Sequence, residues 1–315
     1  MTDLFHHIPG NPVPQNAVAG FFVARDRRNI RYARFAATAR PLLGTVVLLH
    51  GRNEVIEKYF ETIRDLQARG LGVATLDWRG QGGSDRLIRD PRRGYVRSFD
   101  DYAMDLEQFM QEIVLPDCRG PFYILAHSTG ALVALLASPN LVNRVQRMVC
   151  SAPLLAIEGL PISTTALRRM TGLLCRLGFG RRYLTRSRQL EAESFSLNKL
   201  TSERVRYQRN VLLSQTHPNL ALGPPTVAWA HAACIAADTV GDPDFMARLR
   251  IPTLFVASGA DQVVSTRAVE DYAQRLRAGS LLTIDGARHE IMQEADAYRE
   301  PFLAAFSAFV PGSGG

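Results

Sequence analysis

The chain has 315 residues, 46% hydrophobic and 21% charged, with 24 Gly, 17 Pro and a net charge of +7. That length buries a substantial core, as one large α/β unit or about two domains, and the composition excludes intrinsic disorder and the collagen-like and low-complexity classes. The four cysteines, at 118, 150, 175 and 234, show neither Cys-x-x-Cys spacing nor a paired-His motif, which excludes a zinc framework and a disulfide scaffold and predicts reduced thiols in a cytosolic setting.

In chain order, residues 20–25 and 30–36 alternate in polarity and read as a hairpin turning at Asp26-Arg27-Arg28-Asn29. Thr45-Val-Val-Leu-Leu is a continuous apolar run, the mark of a strand buried on both faces. Residues 54–68 follow with helical periodicity (Val55, Tyr59, Ile63, Leu66), and Gly70 closes the helix. The unit then repeats: strand 72–76, helix 99–114, strand 122–125, helix 130–137, strand 145–150. After a gap it resumes with strand 253–257, helix 267–276, strand 281–284 and helix 295–309. Strands alternating with helices predict an α/β fold with a mostly parallel sheet covered on both faces. The N-terminal Met1-Thr-Asp-Leu-Phe-His-His has no signal-peptide pattern, and no apolar run is long enough to span a bilayer, so a cytoplasmic chain is expected. The last five residues, Pro-Gly-Ser-Gly-Gly, read as a frayed tail.

Residues 156–244 break the rhythm with helical stretches and no clear buried strand. They read as a helical insertion after the sixth strand, dividing a core made of 1–155 and 245–315. The charge is concentrated there: residues 160–210 hold eleven Lys and Arg against three Glu. Nucleic-acid binders interleave aromatic and basic residues along a groove; this segment is rich in Arg and Leu, so no nucleic-acid partner is expected. Leu167, Met170, Leu173, Leu174 and Leu177 fall at helical spacing. Arg168, Arg169 and Arg176 lie off that stripe, and Arg181, Arg182, Arg186 and Arg188 follow. Such a pattern is ordinarily a core stripe with a solvated face, and it is also that of a helix lying on an anionic membrane surface.

The strongest chemical signal is Tyr123-Ile-Leu-Ala-His-Ser-Thr-Gly-Ala131. An apolar strand runs into Ser128 and a helix starts at once, the context of a nucleophile elbow. The turn is so tight that the residues two before and two after the Ser must be small: Gly130 meets this directly, and Ala126 stands where a Gly is usual. A Ser hydroxyl needs a base and the base an orienting acid, arriving in this fold class in the order Ser, acid, His. Of seven histidines, at 6, 7, 50, 127, 217, 231 and 289, only His289 follows the last predicted strand. Asp261 follows the strand before it through a Gly turn. Asp285, four residues from His289, is assigned to the turn. The oxyanion formed on attack needs preorganised donors: the backbone N–H groups of Arg52, in the turn His50-Gly-Arg, and of Thr129 are the expected pair. No cofactor and no metal site is expected.

These residues carry a resemblance. The sequence is similar to the α/β-hydrolase fold family and, within it, to the monoacylglycerol lipase and bacterial lysophospholipase branch. His50-Gly-Arg-Asn-Glu-Val-Ile-Glu-Lys-Tyr59 matches the branch pattern H-G-x-x-E-x-x-x-[KR]-Y, and Asp77-Trp-Arg-Gly-Gln-Gly-Gly-Ser84 matches D-x-R-G-x-G-x-S. Asn198-Lys-Leu-Thr-Ser202 and Ala287-Arg-His-Glu-Ile-Met-Gln-Glu294 resemble segments of the inner-membrane lysophospholipases. The resemblance implies that the insertion caps the triad and lines the acyl pocket. It implies a serine hydrolase cleaving the ester of a single-acyl lipid, a lysophospholipid or a monoacylglycerol, through an acyl-enzyme. Peripheral contact with the inner face of an anionic membrane through the Arg-rich cap goes with that reading. A prolyl-aminopeptidase-type peptidase and a general carboxylesterase share fold and triad, but the peptidase would want acids in the cap, where this chain is basic. A non-catalytic binding protein would usually lack a triad member. Epoxide hydrolases and dehalogenases would need Asp in place of Ser128.

Overall fold

The computed structural model describes residues 4–185 and 194–310. Its centre is one eight-stranded sheet: β1 (Ala17–Val23), β2 (Asn29–Phe35), β3 (Gly44–Leu49), β4 (Leu71–Leu76), β5 (Phe122–His127), β6 (Val145–Ser151), β7 (Thr253–Ser258) and β8 (Gly279–Ile284), in the order β1-β2-β4-β3-β5-β6-β7-β8. β2 runs antiparallel to both its neighbours, and every pair from β4 to β8 is parallel. This is the α/β architecture the alternation predicts. Every residue of β3, β4 and β7 is buried, as their unbroken apolar runs require.

The helices are α1 (Phe60–Ala68), α2 (Phe99–Phe109), α3 (Thr129–Leu141), α4 (Thr164–Arg176), α5 (Arg204–Thr216), α6 (Val227–Gly241), α7 (Thr266–Arg275) and α8 (Asp296–Phe309). On one face of the sheet α2, α3 and α7 pack through residues such as Leu106, Leu135 and Tyr272. On the other, α1 and α8 pack through Phe60, Ile63, Phe302 and Phe306. Among the described residues no helix is long and apolar enough to cross a membrane, and all four cysteines are free.

Several boundaries differ from those read in the sequence, each for a tertiary reason. The first strand covers Ala17–Val23, three residues early, because its ladder with β2 runs from Val23 opposite Asn29 out to Ala17 opposite Phe35. The helix expected from residue 54 opens as a 3₁₀ turn, Ile56–Tyr59, and becomes α-helical only at Phe60. The Ile56 amide is taken by the Asp77 carboxylate at 3.1 Å. Residues Met110–Val114 form a π-turn rather than continuing α2. α3 runs on through Pro139 to Leu141; the missing N–H costs one helical bond, and the full burial of Ala137 and Leu141 outweighs it.

Between β6 and β7 lie α4, α5, α6 and a short turn of helix, Pro243–Met246, and none of the sheet's eight strands. α6 forms the inner layer, contacting α2 and α3, with α4 lying over it. The leucine stripe of α4 is not a core stripe. Leu167 is buried, but Met170, Leu173 and Leu177 are 43%, 58% and 61% exposed. Among the described residues α4 packs on α6 and on the Phe179–Arg181 turn, which cover its Leu167 and Thr171 side and leave these three exposed. Arg186, Arg188 and the Pro-Gly-Ser-Gly-Gly tail fall outside the described residues.

Candidate active site

Ser128 stands between β5 and α3 with φ 51° and ψ −114°, a left-handed backbone that L-residues adopt only when the surroundings enforce it. Its amide donates to the Ser151 carbonyl at the end of β6, 3.0 Å away. Gly130 is required sterically: a Cβ there would meet the carbonyl oxygens of Leu49 and His50 at 2.4 and 2.6 Å. Ala126, paired with Leu49 on one side and Cys150 on the other, is fully buried, so the turn accepts its methyl group. The hydroxyl thereby projects over the C-terminal edge of the parallel strands, at the positive end of a thirteen-residue helix.

The loop after β8 brings His289 to this point and the loop after β7 brings Asp261. His289 Nε2 lies 3.1 Å from Ser128 Oγ, and His289 Nδ1 lies 2.8 Å from Asp261 Oδ2. The other Asp261 oxygen accepts the amides of Val263 and Val264 at 2.7 and 3.0 Å, which leaves Oδ2 aimed at the imidazole. All three side chains are buried. Asp285 is exposed in the turn with Gly286 and takes no part.

Arg52 and Thr129 border the same cavity as Ser128. The amide before Arg52, that of Gly51, donates to the Glu54 carboxylate, and the amide after it, that of Asn53, donates to Gln81 Oε1 at 2.8 Å. The Arg52 amide itself donates to no described acceptor, and the Thr129 amide, in the first turn of α3, has none within the helix. Each is thus free to meet an incoming oxyanion.

A buried polar network lies under the imidazole, and single-residue chemistry in the sequence did not reveal it. Glu54 accepts Tyr59 Oη at 2.8 Å and Lys58 Nζ at 2.7 Å, and stands 3.2 Å from His127 Nδ1. Lys58 also donates to Glu290 at 2.6 Å, and His127 Nε2 lies 3.2 Å from the His289 carbonyl. Burial works against the charge on Glu54, yet Lys58 and His127 outweigh it and hold the carboxyl well below its usual range. Burial likewise opposes the His127 cation, and Glu54 wins, raising that pKa. The sequence signals for this network were the H-G-x-x-E-x-x-x-[KR]-Y string, which holds Glu54, Lys58 and Tyr59, and the segment Ala287–Glu294, which holds Glu290. The segments Asn198–Ser202 and Ala287–Glu294 also meet: Glu294 accepts the Ser202 and Arg288 amides, both at 2.9 Å, and the Glu290 amide donates to the Leu200 carbonyl at 2.8 Å. They join the insertion to the loop carrying His289.

The cavity above Ser128 holds about 650 Å³ and is closed largely by the insertion, with Leu213, Leu220 and Trp229 among its apolar walls. His50 lies buried with its Nε2 3.3 Å from Asp77. Among the described residues no cluster of three His, Cys, Asp or Glu side chains could hold a metal.

Residues 40–296 match the family model described as serine aminopeptidase, S33. The chain is 32% identical over 299 residues to lysophospholipase L2 of Escherichia coli K12, covering 91% of this chain and 86% of that one. It is 25% identical over 287 residues to a probable lysophospholipase L2 of Haemophilus influenzae, covering 90% of each. Among solved structures, a soluble variant of the Saccharomyces cerevisiae monoglyceride lipase, in complex with a substrate analogue, superposes with a TM-score of 0.74 at 17% identity. That match covers 93% of this chain and 95% of the other. The Paleococcus ferrophilus monoacylglycerol lipase gives 0.68 at 20% identity, covering 90% and 98%.

Proposed function

The chain belongs to the serine aminopeptidase S33 family, in the lysophospholipase and monoacylglycerol lipase branch of the α/β-hydrolases, and from that premise we propose that it hydrolyses the carboxylic ester of a single-acyl lipid through an acyl-enzyme on Ser128. The observation that carries the reading is the Ser128–His289–Asp261 relay, at 3.1 and 2.8 Å, opening into a predominantly apolar cavity. His289 Nε2 takes the hydroxyl proton as Oγ attacks the ester carbon, and Asp261 stabilises the imidazolium that forms. The oxyanion is received by the Arg52 and Thr129 amides. Collapse breaks the bond to the alcohol, which leaves with the proton from His289. A water activated by the same nitrogen then releases the fatty acid.

Residues 156–244 act as a cap that supplies the acyl-chain walls. The exposed Met170, Leu173, Leu177 and Phe179 of this cap, beside the exposed Arg169, Arg176, Arg181 and Arg182, suit peripheral contact with an anionic lipid surface on the cytoplasmic side. A peptidase reading fits less well. The two cavity carboxylates, Glu54 and Glu290, are both occupied by Lys58, leaving none among the described lining residues for a substrate ammonium. The test is turnover of a lysophospholipid and a monoacylglycerol of one acyl length, with Ser128→Ala as blank. Release of fatty acid from at least one, abolished in the variant, is expected. Peptide turnover with neither lipid cleaved would overturn the assignment.

A further inference from the structure

Two side chains with a permanent positive charge line the cavity among the described residues, Lys58 and Arg52. Lys58 is neutralised twice over, by Glu54 at 2.7 Å and Glu290 at 2.6 Å. Among the described residues Arg52 has no carboxylate partner. Its guanidinium makes one hydrogen bond, from Nη2 to the Gly223 carbonyl. Its Cζ lies 5.3 Å from the centre of the Trp229 ring, and its Nε is sealed from solvent with no acceptor. Burial lowers its pKa to about 10, which still leaves it cationic at neutral pH.

A desolvated cation without a counter-charge is costly to keep, and this fold makes room for it. A Cβ at Gly94 would stand 2.9 Å from Arg52 Nη2, so the loop beside the guanidinium has no side chain there. Across the same cavity the walls are apolar, with Val55, Leu213 and Leu220 forming a buried cluster. The cavity lining therefore combines a cation without a carboxylate partner, Arg52, with an apolar patch of Val55, Leu213 and Leu220 and with neutral polar side chains such as Asn53, Asn210 and Gln215. Arginine's fork matches the oxygens of a phosphate, and low-dielectric surroundings strengthen such a contact.

We propose that the Arg52 side chain is the seat for a phosphate group in the substrate's polar head, so that the site selects a single-acyl phospholipid over a neutral monoacylglycerol. This rests on the single-acyl lipid ester reading and adds the headgroup chemistry. Arg52 then serves twice, its amide at the oxyanion and its guanidinium at the phosphate. The phosphate oxygens complete the donors that Gly223 and Trp229 leave unused.

The test uses ligands that cannot be cleaved, so that it reads the seat separately from turnover. By calorimetry below the micellar range, the full-length protein is titrated with the dodecyl ether of glycerol phosphate, with the dodecyl ether of glycerol, and with inorganic phosphate. The wild type is expected to bind the phosphate-bearing ether about ten- to a hundredfold more tightly than the neutral one, the range for a charge-assisted hydrogen bond. Arg52→Gln should collapse that ratio towards one, and Arg52→Lys should keep part of it. Inorganic phosphate should bind far more weakly than the phosphate-bearing ether. Equal affinity for the two ethers in the wild type, or an equal loss of both in Arg52→Gln, would show that Arg52 only ties Gly223 to Trp229. Inorganic phosphate binding as tightly as the ether would make the ligand a free anion and overturn the headgroup assignment. Absence of ester turnover with the ether ratio intact would remove the proposed reaction and leave the anion seat standing.

Discussion

Helices α3 and α4 are both thirteen residues long, yet α3 buries ten of its residues and α4 buries two. α3 begins at Ser128, wedged among β3, β5 and β6, and its position is fixed by contacts with backbone atoms that cannot give way, such as Gly130 against the Leu49 and His50 carbonyls. α4 lies on the insertion's outer side, and α5, also of thirteen residues, buries only Leu213. Within the insertion α6 packs into the main core, while α5 and the connecting segments are fastened by polar links: Glu61 to Arg206 and Arg209, each at 2.7 Å, Glu294 to Ser202, and the Thr226 hydroxyl to the Gly94 carbonyl at 2.9 Å. Steric confinement suits the part that aligns reacting atoms to tenths of an ångström. Ion pairs and hydrogen bonds, each weak and replaceable by water, would suit the proposed cover, which in the proposed reaction lets a lipid in and a fatty acid out.

Substitutions separate the two kinds of construction. Ser128→Ala should lower kcat at least about a thousandfold while leaving Tm unchanged, as read by ester turnover and thermal melting. Gly130→Ala, which drives a Cβ into two carbonyls, should cost about 3 kcal/mol or more and take activity with it. The matching change on α4, Arg169→Ala at an exposed site, should stay within about 0.5 kcal/mol. Comparable denaturation midpoints for these two variants would break the comparison.

Smaller effects probe the fastening itself. Burial pushes the Glu61 carboxyl up, but hydrogen bonds from Arg206 and Arg209 prevail and hold it at about 2 against an ordinary 4.5. A depressed pKa contributes stability that is fully present above the ordinary value and is lost as pH falls through the lowered one. Protection of α5 amides against hydrogen exchange should therefore fall as pH drops from about 4.5 towards 2, and Glu61→Gln should flatten that fall. The mildest change is Leu177→Gln, 61% exposed in the native chain. It should leave Tm within about 1 °C, consistent with a surface change, while reducing sedimentation with anionic vesicles. Unchanged sedimentation would detach this ridge from any lipid surface.

The same contrast governs what the sequence made legible. The sheet, its parallel sense and the place of Ser128 follow from local patterns, because a buried strand and a tight elbow dictate residue types at neighbouring positions. His289 and Asp261 could be picked out because each follows a strand at the same sheet edge. The hairpin's true start at Ala17, the late onset of α1 and the run of α3 through Pro139 depend on the pairing of Ala17 with Phe35, the Asp77 carboxylate and core packing, none of which is local. Exposure of Met170, Leu173 and Leu177 was not readable, since periodicity marks an apolar face without saying whether anything covers it. The surroundings of the Arg52 guanidinium are hidden in the sequence for a similar reason. Its setting is made by Gly94, Gly223 and Trp229, which lie far along the chain, and its position in the turn pointed only to its amide.

The most direct measurement is rapid quenching of the protein with a single-acyl lipid ester, followed by mass spectrometry of the peptide containing Ser128. The account predicts an added acyl group on that peptide in the wild type and none in Ser128→Ala, with ester cleavage lost together with the adduct. Cleavage that persists in Ser128→Ala, or an acyl group found on another residue, would contradict it.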